Sequence, residues 1–190
     1  MIVVISPEHN LPNETLWVNR LLEAGLERFH VRKPYMNDSS VIDYLKQIDS
    51  AYYSKLVLHD RPHVATDFGL THFHYSQKQR NEVFSKPKDN SFFSTSVHGI
   101  HEFNTLGKFW DSAFLSPIFP SISKAGYGVG SSVSEQLKFR TNYNTKLIGL
   151  GGITPQNMQE VLAKGADGVA LLGVIWQSQN PLETFKSCKK

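Results

Sequence analysis

Eight short runs rich in β-branched and aliphatic residues recur along this chain, and helical patterns separate most of them. In order they are Ile2 to Ile5, Phe29 to Val31, Lys55 to Leu58, Thr71 to Tyr75, Ser91 to Ser94, Ala113 to Ser116, Lys146 to Gly149 and Val169 to Leu172. Strands that alternate with helices build parallel β–α units, whose strands are buried on both faces. The intervening helices carry their own signals. Asn13 is placed to cap a helix running through Glu23, with Gly25 ending it. Asp38 is placed to cap an amphipathic helix with Val41, Tyr44, Leu45 and Ile48 on one face. Pro62 to Asp67 and His101 to Leu106 read as short helices, and Ser132 with Glu135 has the spacing of a capping box. Thr154 and Pro155 open a helix with Met158, Val161 and Leu162 on one face and Gly165 past its end. Pro181 to Ser187 closes the chain, and the polar stretch from Gln77 to Asn90 carries no assignable element.

Two architectures fit this alternation, an open doubly wound sheet and a closed (β/α)8 barrel. The open sheet announces itself by a glycine-rich turn after its first strand. Here Ser6-Pro7-Glu8-His9 stands in that place. The barrel instead puts phosphate-binding loops after its seventh and eighth strands, where Gly151, Gly152 and Gly173 lie. The expected fold is therefore a compact α/β TIM barrel. At 190 residues it is short, since such barrels commonly run to about 250, so loops and helices must be trimmed. No linker of domain-separating length interrupts it, which predicts one domain over 1–190.

The formal charge is only +3 and the basic residues are scattered. That argues against a nucleic-acid surface while leaving room for a local anion site. No stretch approaches the roughly 20 apolar residues of a membrane span. The first residues have no basic lead, and their apolar run ends within Met1 to Ile5, unlike a signal peptide. Cys188 is the only cysteine, so no intrachain disulfide can form. These features together predict a cytoplasmic protein. A homo-oligomer is left open.

Several groups of residues can carry chemistry. The run Leu147 to Pro155 takes a buried strand into Gly151 and Gly152 and then a helix start. Backbone N–H groups of side-chain-free residues there, with Gly173 on the next loop, can cradle a phosphate; tight turns alone would also explain the glycines. Ser121, Ser123 and Lys124 put two hydroxyls and an ammonium on the loop after the sixth strand, a set suited to an anion or simply to solvent. Alternation puts His30 and Arg32 on one side of the second strand. Arg32 there can hold a carboxylate or phosphate, or pair with a neighbouring acid. His98 follows the fifth strand and can act as an acid–base or as a hydrogen-bonded structural residue. Asp60 can bind Mg²⁺, bind a polar group or cap the next helix, and local sequence favours the cap. His72 and His74 share one face of the fourth strand. Zinc wants at least a third ligand of definable geometry, and none can be assigned from the sequence, so no metal ligands are expected.

Taken in order, His30-Val31-Arg32, Leu58-His59-Asp60-Arg61, Ser96-Val97-His98, Ser116 to Lys124, Gly149 to Thr154 and Gly165 to Ala170 resemble the thiamine phosphate synthase/TenI family over nearly the whole chain. The resemblance implies the barrel, a phosphate-binding mouth and a place in thiamine biosynthesis. It implies one of two activities. The synthase joins a pyrimidine diphosphate to a thiazole phosphate, releasing pyrophosphate with Mg²⁺ as cofactor. The TenI-type tautomerase moves a proton in the thiazole phosphate carboxylate and needs no cofactor.

The chain departs from the synthase pattern. Glutamine, arginine and lysine alternate on the second strand of synthases, where this chain has His30, Arg32 and Pro34. The Asn-Asp pair after the third strand is His59-Asp60, and Gln79 lies near the place of a second metal-binding aspartate. His30 beside Arg32, and His98, resemble the TenI pattern, whereas Ser121, Ser123 and Lys124 resemble the synthase's pyrophosphate loop. The expected function is a TenI-like tautomerase with His98 moving the proton, His30, Arg32, Asp60, Ser121, Ser123 and Lys124 binding substrate, and Gly151, Gly152 and Gly173 holding its phosphate. Thiamine phosphate synthase is the alternative, and a catalytically silent binder of thiamine intermediates a third reading.

Overall fold

Parallel strands follow one another around a closed ring, each hydrogen-bonded to its sequence neighbours and the last to the first. The computed structural model describes residues 1–83, 90–122, 126, 128–131 and 133–189. The strands are β1 (Ile2–Ile5), β2 (Arg28–Val31), β3 (Leu56–His59), β4 (His72–Tyr75), β5 (Phe92–Val97), β6 (Ser112–Leu115), β7 (Lys146–Leu150) and β8 (Gly168–Leu171). Closure is made by pairing Ile2 with Val169 and Val4 with Leu171. The expected (β/α)8 barrel is the observed fold. The helices are α1 (Glu14–Glu23), α2 (Asp38–Lys46), α3 (Pro62–Asp67), α4 (Gln77–Arg80), α5 (Ile100–Asn104), α6 (Val133–Gln136), α7 (Met158–Ala163), α8 (Gly173–Trp176) and α9 (Pro181–Ser187). Several are one or two turns long, which is how the barrel fits in so short a chain. Among the described residues no helix is long and apolar enough to cross a membrane.

Alternation along each strand sends successive side chains to opposite faces. Outward residues such as Val4, Phe29, Leu58, Phe93, Leu147 and Val169 form the main core with the helices. Inward, Val3, Ile5, Phe114, Ile148 and Ala170 make a separate cluster that fills one side of the barrel. The other side is lined by the imidazoles of β2 to β4. The interior is thus half aliphatic and half polar, an unusual division for a barrel filled mainly by branched aliphatics.

Helix starts differ from the expectation in four places. Asn13 occupies the cap position of α1 but takes a left-handed conformation (φ 59°), and its side chain makes no cap bond. Asn37, one residue before Asp38, caps α2 by accepting from Ser40 N at 2.9 Å. The Asp38 carboxylate is engaged instead by Arg61 Nε (3.0 Å) and His63 Nε2 (2.6 Å). Asp60 caps nothing, since the residue before α3 is Arg61 and no side chain bonds there. Thr154 starts a turn rather than α7: its N–H donates to Asn157 Oδ1, and the helix begins at Met158. Ser132, the first residue of the expected capping box, lies outside the described residues, as do 84–89 of the polar stretch. The start of that stretch is ordered by Ser76, whose hydroxyl accepts from Gln79 N in a capping box opening α4.

Candidate active site

The carboxyl ends of β1, β2, β5, β6, β7 and β8 surround a cavity of about 340 Å³ lined by Ile5, Glu8, Arg32, His98, Ser116, Ser121, Gly151, Gly152, Ile153 and Gly173, among others. The sequence-derived set is thus largely brought together at one mouth. Asp60 and His30 do not line it. Asp60 stands exposed on the loop after β3, in a left-handed conformation (φ 64°). His30 is buried in the barrel interior, 3% exposed. Ser123 and Lys124 lie outside the described residues.

His98 is held from two directions. Its main-chain N–H donates to Glu102 Oε2 on α5 (3.0 Å), a carboxylate that also pairs with Arg80. Its ring Nδ1 lies 3.0 Å from the carbonyl oxygen of Ser116, at the end of β6. A carbonyl only accepts, so Nδ1 must carry the proton of the neutral ring. Nε2 then presents its lone pair, and among the described residues it has no hydrogen-bond partner. A ring whose orientation and tautomer are fixed by its far nitrogen is prepared for proton transfer at the near one.

Arg32 is placed by Ser6, whose hydroxyl accepts from Arg32 N (2.7 Å) and donates to Arg32 O (3.0 Å). Its guanidinium pairs with Glu8 Oε1 at 2.5 Å. The ion pair expected of Arg32 as one of its two readings is thus present. The remaining donors of its fork are available on a residue that lines the cavity.

The glycines have a steric reason as well as a chemical one. Gly151 and Gly152 have φ of +104° and +61°. The loop after β6 packs directly on them, with Ile118 N donating to Leu150 O (2.9 Å) and Phe119 N to Gly151 O (3.1 Å). A Cβ on Gly152 would lie 2.3 Å from Pro120 O, and one on Gly151 3.0 Å from Pro117 Cα. The main-chain N–H groups of Gly152, Ile153 and Gly173 make no hydrogen bond among the described residues. Gly152→Ala is expected to lose about 2 kcal/mol or more of stability, from left-handed backbone plus displacement of the 117–120 loop. Urea unfolding checks this; a loss under about 0.5 kcal/mol would mean that the loop yields freely.

Sequence reasoning missed Glu8, which lines the cavity and pairs with Arg32, and His59. It ended the third strand at Leu58, leaving His59 in a loop; the strand runs on to His59 and turns it inward. There it meets His30 and His74, all three buried. His30 Nδ1 lies 3.0 Å from His59 Nε2, and the His59 and His74 rings stack at 4.2 Å. Burial holds all three well below the ordinary imidazole pKa, His74 down to about 3, with neighbouring imidazoles or Arg32 adding to it. They are neutral at pH 7. Continuing the period-two alternation from Val57 would have found His59.

A Mg²⁺ site of the synthase pattern does not fit these residues. Asp60 stands alone on its loop, and the Gln79 side chain is committed to the Ser76 cap, accepting from Ser76 N at 2.9 Å and Ser76 Oγ at 2.7 Å. Among the described residues no group of three or more metal-binding side chains contains a carboxylate.

A closed parallel barrel with a cavity at the carboxyl ends of the strands defines the class: a (β/α)8 protein, a fold whose enzymes carry their sites at that mouth. Residues 1–175 match the family described as thiamine monophosphate synthase, and the chain belongs to that family of thiamine-biosynthesis enzymes. A relative from Listeria monocytogenes serotype 4a (strain HCC23), named thiamine-phosphate synthase, is 27% identical over 182 residues, covering 88% of this chain and 84% of its own. The crystal structure of thiamine phosphate pyrophosphorylase from Bacteroides thetaiotaomicron superposes with a TM-score of 0.80 at 24% identity, covering 100% of this chain and 95% of that one. The Pyrococcus furiosus thiamine phosphate pyrophosphorylase gives 0.77 at 19%, covering 99% and 93%. The two structures share the fold.

Proposed function

We propose that this protein moves a proton on a phosphorylated thiazole carboxylate, converting one ring tautomer into the aromatic one. The observation that carries this is the hydrogen bond from His98 Nδ1 to the Ser116 carbonyl, which leaves Nε2 as a lone pair on a residue lining the cavity. In this reading Nε2 takes the proton from the ring carbon, and the resulting imidazolium, whose proton exchanges with solvent at this exposed residue, delivers one at the second position. The Ser116 carbonyl stabilises that imidazolium through the shared Nδ1–H. Arg32 pairs with the substrate carboxylate, and the N–H groups of Gly152 and Gly173 hold the phosphate, with Gly151 supporting the turn and Ser121 beside it. No metal takes part in these steps.

A second reading is favoured by the relatives, which bear the name thiamine-phosphate synthase. It would have the same mouth join a pyrimidine diphosphate to the thiazole phosphate. Incubation with each thiazole phosphate tautomer in deuterated buffer, with and without pyrimidine diphosphate and Mg²⁺, separates the two. Conversion of one tautomer into the other without diphosphate or Mg²⁺ is expected, with solvent deuterium at the position that receives the proton. Pyrophosphate release without such conversion would replace the proposal by the synthase reading. Binding with neither would leave a silent binder.

A further inference from the structure

We propose that His30, His59 and His74 form a binding site for one divalent transition-metal ion of the Zn²⁺ class, inside the barrel beneath the mouth. The three residues come from successive strands, β2, β3 and β4, and each offers a ring nitrogen within 4.8 Å of the other two. Four ligands at about 2.0–2.1 Å around zinc stand about 3.3 Å from one another. His30 Nδ1 and His59 Nε2 are already 3.0 Å apart. Two nitrogens at that spacing share one proton when empty. Moving that proton to the far nitrogen of its own ring turns both lone pairs toward a common ion, with no net charge to remove.

The third ligand is prepared by its neighbours. His74 Nδ1 lies 2.9 Å from Ser94 Oγ, and Ser94 spends its only hydroxyl proton on Phe73 O (3.1 Å). Ser94 must therefore accept, so Nδ1 carries the His74 proton and Nε2 the lone pair. This is the arrangement in which a ligating histidine donates its other N–H to an oxygen behind it, fixing ring and tautomer. Ser96 Oγ, 3.0 Å from Nε2, presently donates to that lone pair. It lies partly exposed, and rotating its hydroxyl frees the nitrogen and leaves a partner for a water in the fourth position.

The donor set selects the metal. Three neutral imidazoles suit Zn²⁺, Cu²⁺, Ni²⁺ or Fe²⁺, whereas Mg²⁺ and Ca²⁺ require oxygen. Phe114 closes the interior side, its ring centroid 4.8 Å from both His30 and His74. Arg32 opposes positive charge at His59 and His74, as Arg28 does at His30, and Glu8 pairs with Arg32. His30 precedes Arg32, and Ser96 precedes His98, by one period of alternation. The ion would thus sit about 6.6 Å of strand rise below the cavity, cross-linking three strands and independent of the chemistry at His98. His72 shares the inward face of β4 but lies outside the cluster: its ring packs on Phe92 and bonds Thr71.

The test uses untagged protein stripped with a chelator and titrated with Co²⁺, which absorbs strongly in the visible when four-coordinate. One equivalent of Co²⁺ is expected to bind, and Zn²⁺ to displace it. His59→Gln and His30→Gln should weaken binding by at least tenfold, while His72→Gln and His101→Gln leave it unchanged. Ser94→Ala keeps all three rings and should weaken binding about tenfold by freeing the His74 ring. X-ray absorption of the wild-type complex counts imidazole ligands without any variant. Absence of the visible bands at one equivalent, bands that survive His59→Gln, or fewer than three imidazoles on the ion would each overturn the site.

Discussion

Lys33→Met is expected to cost about 3–5 kcal/mol of stability, the price of leaving a buried carboxylate without its cation. Alternation along β2 turns Lys33 away from the barrel interior, between α1 and α2. Its side chain is 0% exposed and that of Glu14 3%. Lys33 Nζ donates to Glu14 Oε2 at 2.7 Å, Tyr44 Oη donates to Glu14 Oε1 at 2.6 Å, and Leu11 N reaches the same carboxylate at 3.2 Å. The ammonium also lies 5.1 Å from the Tyr44 ring centroid. Burial lowers the Lys33 pKa against the pull of Glu14, and raises that of Tyr44 well above its ordinary value. Desolvation and pairing nearly cancel in such a triad, so the intact group adds little, but each part is indispensable to the others. The double variant Lys33→Met/Glu14→Leu should recover most of the loss. Urea unfolding of both variants decides. A single-variant cost under about 1 kcal/mol, or additive costs in the double variant, would show that water reaches the carboxylate.

The barrel was legible in the sequence because its signal is periodic and local. A run of strand formers, a helix and a second run fix one β–α unit, and repetition fixes the ring. Most of the mouth was legible for the same reason: loops after strands of known order must meet at one end, which brings Arg32, His98, Ser121 and the late glycines together. What failed depended on single residues or long separations. Asn37 and Asp38 are equally good caps by type, and the choice turned on Arg61 and His63, which draw the Asp38 carboxylate away. The Lys33–Glu14–Tyr44 triad joins residues 19 and 30 apart in sequence, with no local pattern to mark it. His59 was lost to a one-residue error at a strand end, the least determined feature of any element. That error hid the imidazole cluster, because His72 and His74 alone point to nothing. At Gly151 and Gly152 the sequence offers both a phosphate cradle and a tight turn, and the left-handed backbone with the loop packed on it demands glycine before any ligand is considered.

That steric demand moves the decisive experiment from the glycine loop to His98. A substitution at Gly152 disturbs the loop whether or not phosphate binds there, so it cannot isolate the chemistry. His98→Asn can. Asparagine keeps an N–H donor for the Ser116 carbonyl and leaves the Glu102 contact untouched, since that runs through the main chain. It removes the nitrogen that presents its lone pair on the cavity side of the ring. Positioned acid–base catalysis is worth roughly 10²–10⁴ in rate, and a tautomerisation has little besides proton transfer for an enzyme to accelerate. His98→Asn is therefore expected to lower kcat for tautomerisation at least about 100-fold, with thiazole phosphate affinity and unfolding midpoint nearly unchanged. His30→Asn makes the contrast: His30 does not line the cavity, and its Nδ1 is engaged with His59. Its loss should show first in stability and only weakly in rate. Full activity in His98→Asn with loss in His30→Asn would move the base from the mouth to the buried cluster. A drop in affinity that matches the drop in rate would make His98 a binding residue, and the proton would then have to be carried by another group.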